Sequence, residues 1–154
     1  MGIRQLIDKF LAETRIVMVG VSSDEKHFSR ILMRDLISRD YEIVPVNPNQ
    51  KEIDGIKVFS NIDDIPDCPR AMLLLVPAEK TMGVCRQAPS AGIEMVWFYR
   101  SIGQGAYAQD AVEYCRTNDI EVIPGYCPYM FLTDPGFIHS AHVFMMKLAG
   151  KYPR

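Results

Sequence analysis

The residues best equipped for chemistry sit in one loop, Gly20-Val21-Ser22-Ser23-Asp24-Glu25-Lys26-His27-Phe28-Ser29-Arg30, between an apolar run and a helical pattern. Gly20 allows a close backbone turn, Ser22 and Ser23 offer hydroxyls and amides, and a helix amino end supplies a dipole that favours phosphate. Lys26 and Arg30 add positive charge, and His27 suits an anion contact better than a catalytic role. Phosphate binding is the chemistry implied. The same residue types also build an ordinary capped turn with a solvated basic face, so the loop alone leaves both readings open.

Two departures narrow the ligand. In Gly20-Val21-Ser22-Ser23-Asp24-Glu25 the dinucleotide fingerprint fails, with Ser22 and Glu25 where its second and third glycines belong. A second apolar run then ends Val46-Asn47-Pro48-Asn49, whereas an NAD site wants an acid there for the ribose hydroxyls. A neutral strand end tolerates a phosphate on the ribose, which a carboxylate would repel. The pattern favours a phosphorylated adenosine.

Other chemistry has less support. Gly20-Val21-Ser22 lacks the Gly-x-Ser-x-Gly elbow, and no acid or histidine is tied to it, so no serine hydrolase triad can be defended. A receiver-type signalling domain needs acids at strand ends, and the first run ends Val19-Gly20. His139 and His142 stand one helical turn apart and with Cys127 or Asp134 could assemble a metal site; surface or capping histidines are the simpler reading, and no metal is expected. Cys68, Cys85, Cys115 and Cys127 form no CxxC pair, which fits a reducing cytoplasmic compartment.

These residues need elements to hold them. Apolar runs recur at Ile16-Val17-Met18-Val19, Ile43-Val44-Pro45-Val46, Met72-Leu73-Leu74-Leu75-Val76, Met95-Val96-Trp97-Phe98-Tyr99 and Glu121-Val122-Ile123, with helical patterns between them. Continuous apolar strands alternating with helices predict an α/β fold, a doubly wound, mostly parallel sheet with helices on both faces in three layers. Pro45 lacks an amide hydrogen and points to a strand that is short or ends there. A crossover helix is expected with Phe28, Ile31, Leu32, Leu36 and Ile37 as its buried stripe and Arg30, Arg34 and Asp35 off it. Further helices are expected over Glu79–Ala88, before a Pro89-Ser90-Ala91-Gly92 break, and over Ala106–Asn118. Asp54–Phe59 and Asn61–Pro66 suggest a turn, a short strand and one helical turn. Phe137, Ile138, Ala141, Phe144, Met145 and Leu148 trace a terminal helix packed on the sheet, and Trp97, Phe98 and Tyr99 are core.

A chain of 154 residues, 48% hydrophobic and 23% charged, predicts one domain over 1–154 with a real core. A net charge of −2 gives no basic field for nucleic acid. The longest apolar run, Ala71 to Val76, is too short to cross a membrane, and the amino terminus carries no secretory pattern.

With Val19-Gly20-Val21-Ser22, Tyr41-Glu42-Ile43-Val44-Pro45-Val46-Asn47-Pro48, Gly55-Ile56-Lys57-Val58-Phe59 and Asp63-Asp64-Ile65-Pro66 in that order, the chain resembles the small stand-alone CoA-binding domain proteins. From about Ile16 to about Tyr99 it is similar to the CoA-binding, Rossmann-like part of the succinyl-CoA synthetase alpha subunit. The resemblance implies CoA as ligand, its diphosphate held by Gly20, Val21, Ser22 and Ser23, with Lys26 and Arg30 nearby as charge partners and Phe28 and Ser29 also among the cofactor-binding residues. Val46, Asn47 and Pro48 would lie along the adenosine, and Val76-Pro77 would wall the ligand. Strand-end position puts the same segments at one crevice. The chain has no room for the domain that carries those synthetases' phosphorylated histidine, so ligase activity is not implied.

The leading expectation is a non-catalytic or regulatory module for CoA or a short acyl-CoA, with no catalytic residue assigned. An NAD(P)-dependent oxidoreductase or small acyl-transfer enzyme in the same crevice is the alternative. A third reading is an interaction subunit whose apolar carboxyl helix docks a partner protein or a second copy as a homodimer. Cys127, just past the last strand, could face a bound CoA thiol and form a mixed disulfide or simply fill the core.

Overall fold

The computed structural model of the chain describes residues 1–132. The terminal stripe from Phe137 to Leu148, His139, His142 and Asp134 lie outside the described residues.

The five apolar runs form one sheet: β1 (Arg15–Val19), β2 (Glu42–Val46), β5 (Ala71–Leu74), β6 (Met95–Tyr99) and β7 (Glu121–Tyr126), all parallel, in the order β2-β1-β5-β6-β7. Between β2 and β5 a small antiparallel hairpin, β3 (Glu52–Ile53) and β4 (Ile56–Lys57), turns at Asp54-Gly55. Both turn residues have positive φ, 51° and 77°, the conformation that an Asp-Gly hairpin turn requires. Pro45 lies in an edge strand, where its missing donor breaks no ladder, and its carbonyl accepts from the Phe59 amide at 3.1 Å.

Strand alternation sends side chains to two cores. Ile16, Met18, Leu73, Met95, Trp97 and Ile123 meet α1 (Ile3–Leu11) and α2 (Phe28–Ser38) on one face. Val17, Val19, Met72, Leu74, Val96, Phe98 and Val122 meet α3 (Ala78–Cys85), α4 (Ala88–Ala91) and α5 (Gln109–Thr117) on the other. Covering both faces explains why the strands read as unbroken apolar runs. Trp97 is fully buried, packs edge-on against Phe10 at 5.3 Å and donates its indole N–H to the Tyr126 carbonyl at 2.9 Å. On the other face Cys85 of α3 and Cys115 of α5 are both fully buried in the same core.

Three helical expectations need correction. The buried stripe of α2 is Ser29, Arg30, Leu32, Met33 and Leu36, while Ile31 and Ile37 are 49% and 37% exposed. Arg30 is thus in, not off, the buried face, for a reason found outside the helix and given below. The break expected at Pro89 falls instead at Arg86-Gln87; Pro89 sits in the first turn of α4, where an amide hydrogen is not needed, and Gly92, at φ 81°, ends that helix. Helix α5 starts at Gln109 rather than Ala106, because Ala108 is extended and Ala106 is tied to Tyr99 and Thr81.

Candidate functional site

The chain runs from β1 outward to β2 and then returns to β5 on the other side of β1, so the connections diverge at the β1/β5 boundary. A crevice opens at such a switch point, beyond the carboxyl ends of the strands. Gly20 stands there at φ 98°, its amide bonded to the Val46 carbonyl at 2.9 Å, while the Leu75 amide bonds to the Val19 carbonyl at 2.9 Å. Beside it lies a cleft of about 290 Å³. Its walls are the ends of β1 and β2, the turn at Ser60-Asn61-Ile62, and the stripe Lys80, Val84 and Gln87 that begins on α3.

Of the residues singled out from the sequence, Gly20, Val46, Asn47, Pro48, Val76 and Pro77 come together in this cleft. Asn47 is the joint between wall and loop: its side-chain amide donates to the Val21 carbonyl at 2.8 Å and its carbonyl oxygen accepts from the Asn49 amide at 2.9 Å.

Val21, Ser22, Ser23, Lys26, Phe28, Ser29 and Arg30 do not line the cleft; they build the adjoining loop and the first turn of α2. Val21 and Ser29 are fully buried. The Ser29 hydroxyl accepts from the Ser22 amide at 2.9 Å and lies 2.8 Å from His27 Nδ1, which caps α2 by accepting from the Ser29 amide. The Ser22 hydroxyl accepts from the Asp24 amide at 3.0 Å. Ser23 and Lys26 are exposed. Phe28 belongs to the core of the α1/α2 face, where it stacks on Tyr99 at 5.0 Å and meets Tyr129 edge-on at 5.9 Å.

Arg30 is 4% exposed and turned under the loop. Its guanidinium donates to the carbonyls of Ser22 at 3.2 Å and Ser23 at 3.0 Å, and to Asp54 of the hairpin turn at 2.6 Å. Arg34 closes on the same carboxylate at 2.9 Å. The hydrogen bond from Arg34, and then Arg30, hold the Asp54 carboxyl below its usual range. The loop is clasped from below by a cation whose counter-ion comes from another element.

Sequence reasoning did not find Asn49, Ser60, Asn61, Lys80, Val84 and Gln87 as wall residues. Asn49 was within reach, being next to Pro48. The others follow no strand end, so the only signal was the apolar-polar phase of α3, which places positions three or four apart on one side.

Cys127 lies away from the cleft, fully buried, and burial pushes its thiol from 9.0 to about 11. It is a protonated thiol at neutral pH and a weak nucleophile. A raised acid pKa means that the folded state holds its proton longer than the unfolded chain. Its contribution is therefore complete below pH 9 and lost as pH rises towards 11. Urea titrations across that window should show stability falling, and the fall should lessen in Cys127→Ala. Iodoacetamide at pH 7.5 should label Cys68, the partly exposed cysteine, well before Cys127.

The CoA binding domain family matches residues 14–133. The chain is 26% identical over 97 residues to a trans-feruloyl-CoA synthase from an unknown prokaryotic organism, covering 62% of this chain and 14% of the synthase. It is 25% identical over 113 residues to an uncharacterized protein of Bacillus subtilis (strain 168), covering 73% and 81% of the two chains. Among solved structures, a hypothetical protein from Pyrococcus horikoshii OT3 superposes with a TM-score of 0.75 at 25% identity over 83% of this chain and 87% of that one. The dinucleotide-forming acetyl-coenzyme A synthetase 1 of Ca. Korarchaeum cryptofilum has the same fold, TM-score 0.66 at 23% identity, over 76% of this chain and 27% of its own. The chain thus spans a small part of each synthase or synthetase.

Proposed function

The chain belongs to the CoA binding domain family, and from that premise we propose that it binds CoA or a short acyl-CoA as a non-catalytic or regulatory module. The adenosine end occupies the cleft between the end of β2 and α3, and the diphosphate lies over the Gly20–Ser23 loop. The observation that carries this reading is the cleft itself, at the switch point, with Asn47-Pro48-Asn49 on one side, Val76-Pro77 on the other and no carboxylate among its lining residues. At about 290 Å³ it stands at the low end of ligand pockets, room for one end of CoA with the pantetheine arm running outward. The whole chain acts as one CoA-binding unit, and four cysteines that form no disulfide fit a reducing cytoplasm.

The test is calorimetric titration with CoA, acetyl-CoA, NAD and NADPH in parallel. Micromolar CoA binding with NAD at least about tenfold weaker is the expected result, a difference of about 1.4 kcal/mol. Dinucleotide binding without CoA binding would overturn the reading.

A further inference from the structure

Of the charged residues around the candidate site, Lys80 is the one that lines the cleft. Arg30 and Arg34 are bonded to Asp54, and Arg30 also to the Ser22 and Ser23 carbonyls, and neither residue lines the cleft. Lys26 is exposed on the loop outside the cleft lining. The wall opposite Lys80 ends in Asn47 and Asn49, where a site for an unphosphorylated ribose would carry an acid. A positive wall facing a neutral one is selective for an added anion at the ribose.

We infer that Lys80 is the specificity residue of this cleft, pairing with the 3′-phosphate on the ribose of CoA and so selecting CoA over ligands with an unmodified ribose. The inference rests on the proposed reading that the adenosine end enters here. Lys80 makes no ion pair or hydrogen bond with its side chain among the described residues, so its ammonium is available without breaking a native contact. The stripe it shares with Val84 and Gln87 gives the apolar Val84 to the base while the cation stands one turn away. A charge-assisted contact at an open cleft is screened by salt, so the preference should shrink as ionic strength rises.

The test compares CoA with 3′-dephospho-CoA by calorimetry on the full chain, in the wild type, Lys80→Met and Lys80→Arg, with melting curves for each. The wild type should bind CoA about tenfold or more tightly than dephospho-CoA, as a charge-assisted bond allows. In Lys80→Met the two ligands should become nearly equal, through loss of CoA affinity alone, and Lys80→Arg should keep most of the preference. Three results would overturn the inference while leaving CoA binding intact: no preference in the wild type, a preference that survives Lys80→Met, or equal weakening of both ligands, which would assign Lys80 to the diphosphate. A wild type that binds neither ligand removes the proposed function and this inference together.

Discussion

Gly20→Ala is expected to cost about 3 kcal/mol and most of the ligand affinity, the first from backbone conflict and the second from its position. A Cβ at Gly20 would lie 2.9 Å from the Val76 nitrogen and 3.0 Å from the Leu75 carbonyl carbon. Both are backbone atoms at the exit of β5, so no side-chain rotation relieves the contact. The residue cannot retreat either, because its own amide is bonded to Val46 and the preceding carbonyl to Leu75. Alanine must therefore push the β5 exit away from β1, moving Val76 and Pro77 in the cleft wall. For a chain of this size the loss corresponds to a fall of roughly 6–12 °C in melting temperature. Gly103→Ala is the control: it has φ 81° but open space around the added carbon, so it carries only the conformational cost, about 1 kcal/mol. Equal melting temperatures for Gly20→Ala and Gly103→Ala, with CoA binding kept, would defeat the packing argument.

The sheet was legible because its strands are buried on two faces, which removes polar residues from both phases of each run and leaves Ile16 to Val19 or Met95 to Phe98 unbroken. The phase of α2 was not legible. Ile31, Leu32 and Met33 are consecutive, so more than one apolar stripe can be drawn through the helix. Asp54 decides between them from the hairpin 24 residues away, by giving the buried Arg30 a counter-ion. Periodicity has no access to an ion pair of that separation, and without the pair an arginine belongs outside.

The candidate site divides in the same way. Val46-Asn47-Pro48 and Val76-Pro77 could be found because parallel strands deliver their carboxyl ends to one side. Lys80 and Asn61 sit on a helix and in a turn, and what brings them opposite Asn47 is how those elements pack over Val19 and Val46. The phosphate-like loop was recognisable by composition, yet its inventory of donors is spent differently from what composition suggests. The Ser22 amide, the Ser29 hydroxyl and the Arg30 guanidinium hold the loop together.

That clasp yields the second large effect. Arg30→Met is expected to lower stability by about 2–3 kcal/mol, since the Ser22 and Ser23 carbonyls lose a charged donor and Asp54 loses a buried counter-ion. CoA affinity should fall with it, because the Gly20–Ser23 backbone loses its support from below. Asp54→Asn separates the two roles open to Arg30, since Asp54 is absent from the cleft lining. If Arg30 acts by holding the loop, Asp54→Asn should weaken both stability and CoA binding in the same direction as Arg30→Met. It should also change the acid side of the stability profile. Arg34 and then Arg30 lower the Asp54 pKa below 3.8, so this carboxylate's contribution is complete above that value and is lost as pH falls through the lowered one. Urea midpoints measured from pH 5 down to pH 2.5 should fall less steeply in Asp54→Asn than in the wild type. A direct phosphate contact predicts a different pair of results: Arg30→Met would abolish CoA binding with an unchanged melting temperature, and Asp54→Asn would be silent in both assays. With both of its Nη atoms bonded inside the protein, Arg30 would have to break those bonds to reach a ligand, and that cost favours the clasp.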